Sequence, residues 1–102
     1  MAVKGFLHQL THLDRMRVTF ETRTGKIVDF VVQQESYISN RWVPLVRYNL
    51  AHGTPHRDTL HPDGTQEKEW FPSHSPAEVL TMGVKDIKEN YKNYRAKYER
   101  SI

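Results

Sequence analysis

The residues best able to do chemistry crowd into one stretch of this chain. Residues 47–64 gather His52, His56 and His61 with Arg47, Tyr48, Arg57, Asp58 and Asp63. Imidazoles titrate near neutral pH, carboxylates orient them, and guanidinium groups grip phosphate oxygens as a fork. A plain connection needs none of these groups, so their concentration beside a strand end marks a candidate site. The plainer alternative is a connecting loop. His, Asp, Pro and Gly are ordinary loop residues, and Asp58 or Asp63 can serve only to make turns.

Three uses of the segment compete. His52, His56, Asp58 and His61 are acceptable metal ligands. However, Gly53 and Pro55 deny His52 and His56 the helix that would make their four-residue spacing informative. Metal-free cleavage of a phosphodiester needs a base for the 2′-hydroxyl, an acid for the leaving oxygen and a cation for the phosphorane. Histidines supply the first two, Arg47 or Arg57 the third, and Tyr48 stacks on a base or donates a hydrogen bond. The catalytic set on this reading is Arg47, Tyr48, His52, His56, Arg57, Asp58 and His61, with no metal and no cofactor. It requires at least two imidazoles to converge on an arginine, preferably Arg47, whose direction a strand fixes, with Asp58 orienting one ring. The third use is recognition without catalysis. Arg15, Arg17 and Arg23 on one strand face, the aromatic residues, and a basic helix face of Lys85, Lys88, Lys92, Arg95 and Lys97 then form an RNA- or protein-binding surface.

The elements that must position these residues belong to a small chain. It has 102 residues, 15 Lys and Arg against 12 Asp and Glu, a net charge of +3, and 37% hydrophobic residues. One domain with a thin core follows. No apolar run approaches the ~20 residues of a membrane span, and no signal segment opens the chain. The absence of cysteine excludes disulfide staples and thiolate metal sites. We therefore expect a soluble cytoplasmic domain without a membrane partner.

Residues 1–14 place Phe6, Leu7, Leu10 and Leu13 at spacings a short helix can use. From Met16 the pattern changes to strict alternation, with Val18 and Phe20, then Val28, Phe30 and Val32, on even positions. A two-residue turn at Thr24 and Gly25 would set Phe20 opposite Asp29. A three-residue loop, Arg23-Thr24-Gly25, instead pairs Phe20 with Val28 and Val18 with Phe30. A third strand runs from Trp42 to Asn49 after a turn at Ser39 and Asn40, with Pro44 tolerable at a bulge. Pro62-Asp63-Gly64 joins short strands near residues 59–61 and 66–71. Ser75-Pro76-Ala77-Glu78 then caps a helix over residues 75–100, whose apolar stripe is Leu80, Val84, Ile87, Tyr91, Tyr94 and Tyr98. The expected fold is α+β: an antiparallel sheet of four to five strands within residues 15–72, with a long C-terminal helix on one face. Its core is Met16, Val18, Phe20, Val28, Phe30, Val32, Val46, Leu80, Val84, Ile87 and Tyr91. A homodimer through Tyr94, Tyr98 or an open strand edge would extend that core.

The run Arg17-Val18-Thr19-Phe20-Glu21-Thr22, the strand from Val28 to Gln33, and then Arg47-Tyr48, Ala51-His52-Gly53, His56-Arg57-Asp58 and His61-Pro62-Asp63-Gly64 resemble a family of small uncharacterised bacterial and archaeal proteins. The resemblance covers nearly the whole chain after residue 14, ends in a helix like that around Asp86-Ile87-Lys88-Glu89-Asn90, and carries no activity with it. More distantly, Tyr48-Asn49, Gly53, His56 and His61 are similar in layout to sheet-plus-helix toxins of toxin–antitoxin pairs. That likeness implies a ribonuclease-like activity on RNA and a small antitoxin-like partner.

Overall fold

A computed structural model describes residues 2–102. Six strands form one antiparallel sheet in chain order: β1 (Ala2–Thr11), β2 (Asp14–Arg23), β3 (Lys26–Ile38), β4 (Arg41–Ala51), β5 (Thr54–Leu60) and β6 (Gln66–Trp70). The helix α1 (Pro76–Arg100) follows and crosses one face, chiefly over β3 and β4. The fold is α+β as expected, but with six strands rather than four or five.

The sixth strand comes from the N-terminal segment, which is β1 and not a helix. A helix this short is marginal by itself. Pairing with β2 across a tight turn wins, and Thr11 fastens that turn by donating to Asp14 Oδ2 at 2.8 Å and accepting from Leu13 N–H at 3.0 Å. A second gain in strand comes from the His-rich segment. It is no loop but a hairpin, β4 turning into β5 at His52 and Gly53. Pro55 is accommodated at the start of β5, where its carbonyl accepts from Phe71 N–H at 2.9 Å.

Three of the hairpin turns have both central residues at positive φ: Thr24 and Gly25 (51° and 74°), Ser39 and Asn40 (55° and 66°), His52 and Gly53 (54° and 79°). This mirror-image turn matches the right-handed twist of the flanking strands. At Thr24 and Gly25 it replaces the expected three-residue loop. Parity is restored by a bulge instead: Thr22 pairs with Ile27, Glu21 with Asp29, and Val28 is left without a partner. Phe20 therefore faces Phe30 and Val18 faces Val32, two residues along from the expected register. Val28, expected in the core, is 40% exposed as the extra residue of that bulge. The second bulge falls beside Pro44, and of the two ways a strand can tolerate that proline, a bulge or an amide left unpaired by the ladder, the register shows the bulge. Gln34 pairs with Val46 and Glu35 with Pro44, leaving Leu45 as the extra, buried residue.

The core lies between α1 and even-numbered residues of the central strands: Met16, Val18, Phe30, Val32, Val46 and Tyr48 against Val79 and Ile87. Ser75 caps the helix reciprocally with Glu78, as the sequence predicts. The buried line of the helix is Val79, Gly83 and Ile87, with Leu80, Val84 and Tyr91 half-buried on its flank. Gly83 permits the approach, since a Cβ there would sit 2.9 Å from the Tyr48 ring. Polar contacts fix the far end of the helix. Gln34 donates to the Tyr91 carbonyl at 3.0 Å, and Arg95 donates to the carbonyls of Leu13 (3.1 Å) and Tyr37 (2.9 Å) and to Asp14 (3.1 Å). Arg95 therefore belongs to this clamp and not to the free basic face.

Candidate functional site

The sheet face opposite α1 carries no other element. Cross-strand register decides which side chains share it: Thr19, Val31, Asn49, His56 and Trp70 form one row, and Arg17, Gln33, Arg47, Asp58 and Lys68 the next. Alternation along β5 thus sends His56 and Asp58 to the open face and Arg57 to the helix face.

On the open face the polar groups form two neighbouring clusters. Glu35 is buried and receives Arg15 Nε at 2.7 Å, Arg17 Nε at 2.9 Å and Gln33 Nε2 at 2.7 Å. Burial would raise its pKa, but the hydrogen bonds from Arg17, Arg15 and Gln33 outweigh that and hold it at about 2. Arg47 extends the chain by donating to Gln33 Oε1 at 2.6 Å. Arg15 also lies over the Trp42 ring, 3.9 Å from its centre.

In the second cluster His56 Nε2 is 3.2 Å from Asp58 Oδ2, which also accepts from Asn49 Nδ2 at 3.3 Å. Lys68 Nζ lies 3.4 Å from both Asp58 Oδ1 and His56 Nε2. The carboxylate favours the tautomer with hydrogen on Nε2, and the buried Nδ1 then carries the free lone pair, with no hydrogen-bond partner among the described residues. The imidazole is only 2% exposed, with the Trp70 ring centred 5.0 Å from it.

The helix face holds a different polar cluster. Tyr48 and Tyr94 each donate to Asp86 Oδ2 at 2.6 Å, and Asn90 donates to Oδ1 at 2.8 Å. Arg57 donates to the Tyr94 hydroxyl at 3.2 Å and to Glu69 at 2.7 Å. Burial and the Asp86 carboxylate push the Tyr94 hydroxyl up to about 12 and that of Tyr48 higher still. Both remain neutral donors across any physiological pH.

The sequence-derived set is therefore divided. Arg47, His56 and Asp58 share the open face, while Tyr48 and Arg57 sit under the helix. His52 occupies the first position of a tight turn, exposed, at a φ that His tolerates better than most residues. His61 is at the opposite end of β5, paired with Glu67 at 3.1 Å. The expected convergence of two imidazoles does not occur, because the segment is a straight hairpin and not a loop folded on itself. The four-ligand metal alternative is dispersed for the same reason: among the described residues no three His, Asp or Glu side chains are placed to hold an ion. No helix of the described chain is long and apolar enough to cross a membrane.

Glu35, Lys68, Trp70 and Asp86 were missed by the sequence reading. Asp86 had a usable signal, an acid between Gly83 and Ile87 on the apolar stripe. Glu35 had one as well, as an acid in a strand whose pairing brings Arg15 and Arg17 beside it.

A family model described as a domain of unknown function, DUF7718, matches residues 1–102. The chain belongs to that family. No curated protein and no solved structure matches it. This DUF7718 chain carries two polar clusters on its open sheet face and a third under the helix.

Proposed function

We propose that the protein binds single-stranded RNA on the open sheet face. The observation that carries this reading is a layering of charge. Glu35 and Asp58 are buried, while cations paired with them, Arg17 and Lys68, retain side-chain exposures of 45% and 40%. Each arginine has five N–H donors, and Glu35 uses only part of that set. Guanidinium groups already held in place lose little freedom when they grip phosphate, so the surface is preorganised for a polyanion. Trp70, exposed on the last strand, offers a stacking platform, and Gln33 and Asn49 carry amides suited to base edges. Fluorescence anisotropy with a labelled single-stranded RNA, repeated across salt concentrations, tests the proposal. Arg17→Ala, Lys68→Ala and Trp70→Ala should each weaken binding by roughly tenfold. Salt-independent binding, or binding indifferent to all three changes, rejects it.

One observation favours a second reading, a ribonuclease-like toxin acting in the cytoplasm and held in check by a small antitoxin-like protein. His56 backed by Asp58 and flanked by Lys68 has the parts of a base and a phosphate-binding cation. His56 Nδ1 is buried, so side chains around it must move for it to reach a 2′-hydroxyl. Induced expression of the wild type beside His56→Ala, with growth and RNA integrity followed together, separates the two readings. RNA loss confined to the wild type selects cleavage, and intact RNA in both selects binding alone.

A further inference from the structure

The two free edges of the sheet are built differently. The β6 edge is five residues long and carries Glu67, Lys68 and Glu69, a charged and short strand that resists pairing. The β1 edge is ten residues long and carries a single full charge, Lys4. Val3 and Leu7 are 71% and 46% exposed on its open side, and Phe6 is 53% exposed on its helix side. The helix, centred over β3 and β4, leaves that side of β1 bare. Protection of β1 is slight: it has no proline, its one full charge, Lys4, lies on the helix side beside Phe6, and its only bulge lies at the far end, beyond Gln9.

We propose that β1 is a homodimer interface, pairing antiparallel with β1 of a second copy about a two-fold axis through Phe6. This inference is independent of what the open face binds. A two-fold perpendicular to the sheet keeps like faces together and pairs residues of equal parity. With Phe6 on the axis, Phe6 meets Phe6 of the second copy, Leu7 meets its Gly5 and lies diagonal to its Leu7, and Val3 meets its Gln9. Self-complementarity favours a second copy as the occupant: in this register every exposed apolar residue of β1 meets an apolar or uncharged one, and Lys4 falls opposite His8 and not opposite a second lysine. Joining β1 to β6 of another copy would instead bring apolar residues against Glu67 and Glu69, and it would leave each pair with a free edge of both kinds. Alternate residues along β1 offer both N–H and C=O outward, so the pairing supplies a ladder of backbone hydrogen bonds besides covering the apolar side chains. The product is a continuous twelve-stranded sheet, twice the six strands of one chain.

Sedimentation velocity of the full chain over a micromolar concentration series tests this directly. The expected result is a species of twice the 12.0 kDa chain mass that dissociates on dilution. Phe6→Lys puts two ammonium groups on the axis and should raise the dissociation constant by at least ~tenfold. Hydrogen exchange on the wild type reads the same contact without a substitution. The amides of residues 2–11 should gain protection as concentration rises, while those of β6 do not change. A monomer at every concentration, a dimer indifferent to Phe6→Lys, or protection of β1 that ignores concentration overturns the proposal. In the first case a strand from a different protein becomes the better occupant of the edge.

Discussion

On the helix side of the sheet, a carboxylate, Asp86, takes its hydrogen bonds from neutral donors, two tyrosine hydroxyls and an asparagine amide, and the Arg57 guanidinium stands farther off at 3.8 Å. On the open side the carboxylates Glu35 and Asp58 lie under guanidinium and ammonium groups that reach toward water. Neutral donors beneath a packed helix make a joint, and their loss should be felt mainly as stability. Cations above buried acids make a surface, and loss of its outermost members should be felt mainly as binding. The contrast teaches that burial of a charged residue does not by itself distinguish a structural cluster from a working one. What the partners do with their remaining donors does.

The largest effect should come from the joint. Gly83→Val places a Cβ within 2.9 Å of the Tyr48 ring and forces the helix off the sheet. Urea unfolding should show a loss of about 3 kcal/mol. A loss below about 1 kcal/mol would mean that the helix is not seated as described. Asp86→Ala should cost about 2 kcal/mol, because it strands two hydroxyls under the helix, and RNA affinity should hardly move. A large drop in affinity for the folded variant would break the division between the faces.

The pH profile sharpens the contrast from both ends. Glu35 has a folded pKa of about 2 against an ordinary 4.5. Its stabilisation is therefore complete above pH 4.5 and is lost as pH falls from there through 2. After allowance for solvent screening, about 1–2 kcal/mol should disappear in that window, and Glu35→Gln should flatten the acid limb. Tyr94 has the opposite sign. Its folded pKa is raised from 10.0 to about 12, so its contribution is intact below 10 and declines as pH climbs through that interval. Equal acid limbs in Glu35→Gln and wild type would contradict the account of the open face. The smallest stability effect belongs to Lys68→Ala, about 1 kcal/mol by thermal unfolding, because it removes the cation beside the buried Asp58 carboxylate, and its effect on RNA binding is expected to be large.

Much of the architecture was legible in the sequence because periodicity and caps are local signals. Ser75 and Glu78 mark the helix start, and even-numbered apolar residues mark the buried side of β2 and β3. Bulges were hardly legible: Pro44 left open either a bulge or an amide unpaired by the ladder. The bulge at Val28 gives no such sign, and assuming an unbroken ladder shifted the register by two residues. β1 stayed hidden because both of its faces are open, which removes the alternation that identifies a strand. The candidate site was legible by residue type and not by direction. Reading the His-rich stretch as a loop allowed three imidazoles to meet, whereas the alternation of a strand separates them. His52 shows how a residue with catalytic chemistry can serve backbone conformation alone.

The sheet's connectivity also has a kinetic side. Each strand pairs with its neighbour in sequence, and the first four turns are only two residues long, so every hairpin can close with little loss of chain entropy. The helix is the exception. Its Arg95 reaches back to Leu13 and Asp14, more than eighty residues earlier in the chain. Assembly of this protein therefore divides into a sequence of local zippering steps and one distant closure. Until that closure is made, Met16, Val18 and Val32 stay wet on the face α1 will cover, and the half-built sheet presents to its neighbours in the cell the apolar surface that the finished molecule hides.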